Sequence, residues 1–231
     1  IIFRQWIYCI HQFKKVFFEN WLLYNKRFFQ KLPEDKLRDH LKKYNHPLYF
    51  EQFEIIRDIP SMVVQPLKKR YVKLINQARK RIIIETPYFL PSKSLRKALV
   101  LASRRGVDIK IIIPERSDVS AVDILRNRYI NMMYANGIRI FLYTPRNLHA
   151  KLLMIDNQYF SIGSPNFDYR SFRFQYEIAL IGQHPEIIHE LNNHIQETLY
   201  ECKEFDYETF LERPFIDRLL ELFLVPFRHL F

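Results

Sequence analysis

The run Arg81-Ile82-Ile83-Ile84-Glu85-Thr86 limits the folds open to this chain more than any other segment. Three consecutive β-branched residues favour extended backbone, and a strand apolar at successive positions has both faces buried. Such a strand belongs inside a sheet covered by helices on each side. The flanking sequence supplies them. Pro66 to Arg79 carries Leu67, Val72, Leu74, Ile75 and Ala78 at helical spacing, and Ser94 to Arg105 reads as a helix closed by Gly106. Asp108 to Pro114 is a further strand, Ala121 to Ala135 a helix closed by Asn136-Gly137, and Ile138 to Tyr143 another strand. Met62 to Gln65 reads as a short strand ahead of them. This alternation predicts an α/β fold, an α-β-α sandwich around a mixed, largely parallel sheet.

Antiparallel character enters later in the chain. Leu152 to Ile155 and Tyr159 to Gly163 predict a hairpin turning at Asp156-Asn157. Glu177 to Ile181 reads as a strand and Pro185 to Tyr200 as an amphipathic helix. Toward the N-terminus, Trp6, Ile10, Phe13, Phe17, Trp21, Tyr24 and Phe28 recur at steps of three and four, predicting a helix over residues 4–30. That helix either packs on a core, the favoured reading, or lies on a membrane surface. Residues 33–60 are charged and poorly periodic and read as a spacer. The expected division is a basic, aromatic-rich helical segment and spacer at 1–61, an α/β unit at 62–205, and an amphipathic tail at 206–231. The tail either docks on the domain or lies in an interface.

The 36 Lys and Arg exceed the 25 Asp and Glu, for a net charge of +11. A surface of that sign attracts polyanions, with nucleic acid and anionic phospholipid as the two candidates. Cys9 and Cys202 make no disulfide framework and no metal-ligand spacing, and as free thiols they lean toward a reducing compartment. No apolar run is long enough to span a bilayer. The chain begins at Ile1, so it is expected to be processed or to be a fragment of something longer.

The chemistry is concentrated in one spaced pattern. His149, Lys151 and Asp156 read H-x-K-x4-D, Gly163-Ser164-Pro165-Asn166-Phe167-Asp168 follows, then Arg170 and Ser171, then Glu177. Alternation along extended backbone puts His149 and Lys151 on one side of a strand, and Ser164 and Asn166 on one side of its hairpin partner. These residue types suit an anionic phosphodiester. Lys151 neutralises a non-bridging oxygen, and the Ser164 hydroxyl and Asn166 amide donate to developing negative charge. An imidazole either attacks phosphorus or protonates a leaving alkoxide, and a carboxylate such as Glu177 holds its tautomer. Asp156 reads more readily as a turn-fixing residue than as a chemical one. Asp168 and Arg170 read as a local hydrogen-bonded pair before substrate ligands, with Arg170 the candidate substrate contact. Tyr88 and Phe89 read as packing, and His184, His189 and His194 receive no role.

The spaced pattern resembles the HKD motif of the phospholipase D superfamily, whose phosphate-binding Ser and Asn and histidine-orienting acid fall at Ser164, Asn166 and Glu177. It is most similar to the C-terminal half of bacterial cardiolipin synthases. Glu85-Thr86-Pro87-Tyr88-Phe89-Leu90-Pro91 resembles that branch's T-P-Y-F-x-P turn, and Gly106-Val107-Asp108 and Arg213-Pro214 also fit. The resemblance covers about residues 60–231. It implies a phospholipase D-like fold that is one half of a pseudo-symmetric pair. It also implies phosphatidyl transfer through a phosphohistidine, with His149, Lys151, Asp156 and Glu177 catalytic, Lys151, Ser164 and Asn166 on phosphate, and neither metal nor cofactor.

The full H-x-K-x4-D pattern occurs once in the chain, where the family normally has two. The second motif is therefore expected from a missing N-terminal half or from a homodimer partner. The implied substrate is an anionic phospholipid such as phosphatidylglycerol, met by a peripheral protein at the cytoplasmic face of a membrane. The alternatives are a homodimeric nuclease or other phosphodiesterase with the same chemistry, and an inactive remnant with a binding role.

Overall fold

The computed structural model describes residues 47–60, 64–145 and 148–227. The helix expected over residues 4–30 lies outside them. One compact unit begins at Asn45. Nine strands form one sheet: β1 Leu48–Phe50, β2 Phe53–Asp58, β3 Arg81–Glu85, β4 Asp108–Pro114, β5 Arg139–Tyr143, β6 Leu152–Ile155, β7 Tyr159–Gly163, β8 Glu177–Gly182 and β9 Cys202–Glu204. Their order across the sheet is β1-β2-β8-β7-β6-β3-β4-β5-β9. The helices are α1 Pro66–Gln77, α2 Lys93–Arg104, α3 Ser120–Tyr134, α4 Ser171–Phe174, α5 Pro185–Tyr200, α6 Tyr207–Leu211 and α7 Phe215–Leu224.

The isoleucine run behaves as its composition demands. On β3, Ile82 and Ile84 point into a core shared with α1, α2 and α3, whereas Ile83 points to the opposite face, against Ile188 and Ile195 of α5. On β4, Ile111 and Ile113 face the first layer and Ile112 the second. The α-β-α sandwich and mixed sheet are therefore present, but the parallel part is smaller than expected. The β3–β4 and β4–β5 pairs are parallel, and the other six pairs are antiparallel. The parallel strands are the ones joined by helical crossovers, as short connections between helices and strands require.

The spacer reading needs correction. Residues 48–58 supply two strands, and β2 pairs along its whole length with β8. Its Ile55 and Ile56 are both buried, a two-faced apolar step that the surrounding charges obscured. Val64 and Gln65 are not strand; they lead into α1. The tail after residue 206 is also structured. α7 meets α3, its last residue Leu224 and the following Val225 pack against the core, and Arg213 pairs with Glu221. No residue of α7 is itself buried. Phe215, Leu222 and Phe223 of this helix remain 72%, 67% and 67% exposed.

Strand direction assembles the site. The parallel strands β3 and β4 end at one edge of the sheet, with Glu85 and Pro114. Antiparallel β6 begins there, since Leu152 stands opposite Glu85. β7 returns to that edge at Gly163, β8 leaves it at Glu177, and β2 reaches it at Asp58. The segments before β6 and after β7, with the starts and ends of six strands, therefore share one edge.

Candidate active site

His149 and Lys151 lie in the segment just before β6, and Ser164 and Asn166 just after β7. They reach the same edge, but as loop residues beyond the hairpin's open end rather than as alternating strand positions. The ladder ends at Leu152–Ile162. Beyond it the two chains diverge, because Asn166 and Phe167 turn to meet the segment after β3. Phe167 N donates to Thr86 Oγ1 at 3.2 Å, and Leu90 N donates to the Phe167 carbonyl at 2.9 Å. The T-P-Y-F turn is thus a clamp on the serine-asparagine loop. Phe167 also stacks on Tyr71, whose hydroxyl meets Ser161 Oγ at 2.9 Å in the core.

Lys151 Nζ donates to the His149 carbonyl oxygen at 2.9 Å and lies 3.2 and 3.3 Å from the two ring nitrogens. His149 is exposed and Lys151 half-buried. Burial lowers the lysine's pKa, opposed by the charges of Glu177, Asp168 and Asp118. An ammonium held among three carboxylates with part of its hydration removed is well placed to meet an anionic oxygen.

Glu177 lies against Ser164. Its carboxylate accepts from the Ser164 hydroxyl, and the hydrogen bonds of Ser164 and Ser171 oppose the upward pKa shift that burial imposes. Ser164 Oγ in turn accepts from Ile178 N at 3.0 Å. Among the described residues the His149 ring is paired with Lys151 and the Glu177 carboxylate with Ser164. Asn166 N donates to Ser171 Oγ at 3.1 Å, while the buried Asn166 side-chain oxygen meets no partner among the described residues.

Asp156 is not part of the assembly. It sits at the closed end of the hairpin, about 17 Å from Lys151 at ~3.3 Å per residue along β6. Both Asp156 and Asn157 have φ of 55°, a left-handed turn at the tip of the hairpin, where three residues separate the paired Ile155 and Tyr159. The Asp156 carboxylate accepts from Arg79 N, Lys80 N and Arg81 N at 2.8, 2.7 and 2.9 Å. It ties the hairpin to the start of β3, at the edge opposite His149. Asp168 is buried and accepts from Ser171 N at 2.6 Å and from the Arg170 backbone, so the Asp168–Arg170 link runs through the main chain. Arg170 itself is exposed at the N-terminus of α4, on the same loop as Asn166.

A family model described as the PLD-like domain of cardiolipin synthase matches residues 71–199, more than half of the chain. The chain belongs to this family. It is 32% identical over 195 residues to a cardiolipin synthase of Clostridium perfringens, covering 81% of this chain and 41% of that one. Identity to the major cardiolipin synthase of Bacillus subtilis is 33% over 168 residues, covering 73% and 35%. The chain therefore spans about two fifths or less of these cardiolipin synthases. Among solved structures, the fold resembles Nuc of Salmonella typhimurium, a phospholipase D family member (TM-score 0.56, 23% identity, 66% of this chain and 99% of that one). It also resembles the phosphatidylserine synthase of Haemophilus influenzae (TM-score 0.62, 14% identity, 84% and 51%). The same architecture is thus the whole of one chain and half of the other.

Three features of this edge had no counterpart in the sequence reading. Asp58 is buried beside Glu177. Tyr88, read as packing, donates to Asp118 at 2.5 Å. His194, given no role, lies 3.0 Å from the fully buried Glu85. The apolar step Ile55-Ile56 was the available signal for β2, and through it for Asp58. The other two pairs join residues 30 and 109 positions apart, a separation without a local pattern.

Proposed function

We propose that this chain provides one half of a phosphatidyl-transfer site of the cardiolipin synthase type. The observation that carries the reading is the gathering of His149, Lys151, Ser164, Asn166 and Glu177 at one sheet edge in a chain of this family. Lys151 neutralises a non-bridging phosphate oxygen, and Ser164, held by Glu177, and Asn166 complete the cradle. One imidazole attacks phosphorus. A nitrogen–phosphorus bond forms as the bond to the leaving alcohol oxygen breaks, and a second imidazole gives that oxygen its proton. The second imidazole then takes the proton of an incoming alcohol, whose oxygen displaces the first histidine. His149 supplies one of the two, in the acid–base role if the other motif comes from an N-terminal half.

The missing histidine comes from a second half or from a second copy. The match to all of one solved chain and half of another supports both. His40-Leu41-Lys42 repeats the first three motif positions, but Pro47 stands where the aspartate belongs. The substrate class is an anionic phospholipid of the phosphatidylglycerol kind, reached by a protein lying on the membrane surface. Support comes from the net charge of +11 and from the exposed aromatic and aliphatic residues of α7. Among the described residues no helix is long and apolar enough to cross a membrane. A homodimeric phosphodiesterase acting on nucleic acid is the second reading, and the same positive charge favours it.

Incubation with phosphatidylglycerol vesicles tests the proposal. Cardiolipin and glycerol should appear, and His149→Ala should abolish both. Cleavage of plasmid DNA without lipid turnover would transfer the site to the second reading. Neither activity, from the chain alone or joined to the upstream half of a cardiolipin synthase, would remove both.

A further inference from the structure

Beside His149 lies a cavity of about 330 Å3 lined by Pro87, Pro114, Arg116, Ser117, Asp118 and Leu148. Its walls are fixed from behind. Arg126, almost fully buried on α3, donates to the Pro114 and Glu115 carbonyl oxygens at 2.6 and 2.5 Å. Asp123, one helical turn earlier, accepts from Ser117 N at 3.0 Å and pairs with Arg126 at 3.1 Å. From the other side, Tyr88 donates to Asp118 Oδ1 at 2.5 Å. Burial and that hydrogen bond push the Tyr88 hydroxyl up to about 12, so it remains a donor at neutral pH. The carboxylate is thereby oriented while its second oxygen stays available. Asp118 also contributes to the field at Lys151, which places the cavity and the phosphate-binding lysine within one electrostatic neighbourhood.

A volume of this size has room for a glycerol-sized group. A carboxylate at the wall repels phosphate and accepts from hydroxyls. Arg116 and Ser117 add donors, and Pro87 and Leu148 present apolar faces to carbon. We propose that this cavity is the alcohol subsite, taking the hydroxyl-bearing glycerol-class moiety of the phosphodiester, with Asp118 as its specificity-determining acceptor. The inference rests on the phosphodiester reading above. Because the leaving and incoming alcohols depart from and approach phosphorus along the same line, one subsite serves both.

Binding tests this without requiring turnover. Backbone amide NMR of the full chain is titrated separately with glycerophosphoglycerol and with dimethyl phosphate, which has no hydroxyl. The expected result is that glycerophosphoglycerol moves the amides of Tyr88, Ser117 and Asp118 and binds about tenfold more tightly, the scale of one or two hydrogen bonds to a charged group. Tyr88→Phe and Asp118→Asn should narrow that difference, with the affinity for dimethyl phosphate unchanged in the first and not reduced in the second, where a repelling charge is lost. Equal binding of the two probes, unchanged by Asp118→Asn, would overturn the alcohol subsite and leave the phosphodiester reading standing. Failure of both probes to move His149, Lys151 or Ser164 would overturn the two together. Comparing phosphatidylglycerol with phosphatidylethanolamine as headgroup donors then separates a leaving-group preference from an acceptor preference.

Discussion

Asp58, the last residue of β2, stands directly across the ladder from Glu177, the first residue of β8. Both are buried, and side chains at opposed positions of an antiparallel pair lie about 5 Å apart at Cβ. Asp58 Oδ1 accepts from Leu67 N at 3.1 Å, capping α1, while Oδ2 is buried without a partner among the described residues. Burial first, and then the Glu177 charge, push its carboxyl up from 3.8 to about 6. A raised carboxyl pKa means that the folded chain holds a proton the unfolded chain has released. Stability should therefore fall as pH rises between about 4 and 6, by at most about 3 kcal/mol for a shift of roughly two units. Asp58→Asn retains the cap acceptor and removes the ionisation. Urea unfolding of the two proteins at pH 4 and pH 7 should show Asn gaining on Asp only at the higher pH. Parallel pH dependence would count against the coupled pair.

Asp156→Ala separates fold from chemistry in the motif. The substitution strips the acceptor from three backbone amides that join α1 to β3. Loss of such charge-assisted bonds at a partly exposed site should cost about 2–3 kcal/mol of unfolding free energy. Turnover per folded molecule should stay within about twofold, because the residue is roughly five strand positions from Lys151. His149→Ala should show the reverse, with the melting temperature unchanged and turnover gone. A large loss of turnover in folded Asp156→Ala would restore that residue to the site.

The sequence made the fold legible where apolar periodicity was dense. The hairpin and its turn, β4 and α5 fall where the pattern put them, and Ile82 to Ile84 divide between the two layers as a two-faced strand must. It was misleading where charges surrounded a short apolar step, as at Ile55-Ile56, and where helical alternation implied more parallel pairing than the late strands permit. The identities of the site residues were legible through spacing, but their roles were not. Glu177 is close to Ser164 and Ser171 because β7 and β8 pair. Asp156 is distant because β6 lies between. Spacing in sequence carries neither fact.

Gly163 is fixed by close approach and not by an unusual φ. A Cβ there would meet the Ile178 carbonyl oxygen at 2.2 Å and Ala179 Cα at 2.7 Å. Backbone atoms of a paired strand cannot rotate away. Gly163→Ala should therefore push β7 from β8 and cost about 2–4 kcal/mol, in the upper range for overpacking. The Ser164–Glu177 contact should part with it. The check is a lowered melting temperature together with loss of turnover beyond the loss of folded protein. A stable, fully active variant would show that the close contact does not determine the serine's position.

The same edge contains a half-buried ionisable pair on its other face, with the His194 side chain 47% exposed. Glu85 is fully buried at the end of β3, with Oε2 3.0 Å from His194 Nε2 and Oε1 without a partner among the described residues. Burial pushes the Glu85 carboxyl upward and the charge of His194 opposes that shift. Removing His194 alone leaves the buried Glu85 carboxyl uncompensated, whereas removing Glu85 leaves only a solvent-reached imidazole. His194→Ala should thus lose about 1–2 kcal/mol of stability at neutral pH, less than a fully buried pair because solvent reaches the imidazole. Glu85→Gln keeps the shape and removes the charge, so it should be close to neutral, and adding His194→Ala to it should cost less than half as much. Since Glu85 leads directly into Thr86 and Tyr88, the same cycle read by turnover reports whether the pair also holds the T-P-Y-F clamp. Strictly additive unfolding free energies in the double-mutant cycle would show that the two side chains do not interact.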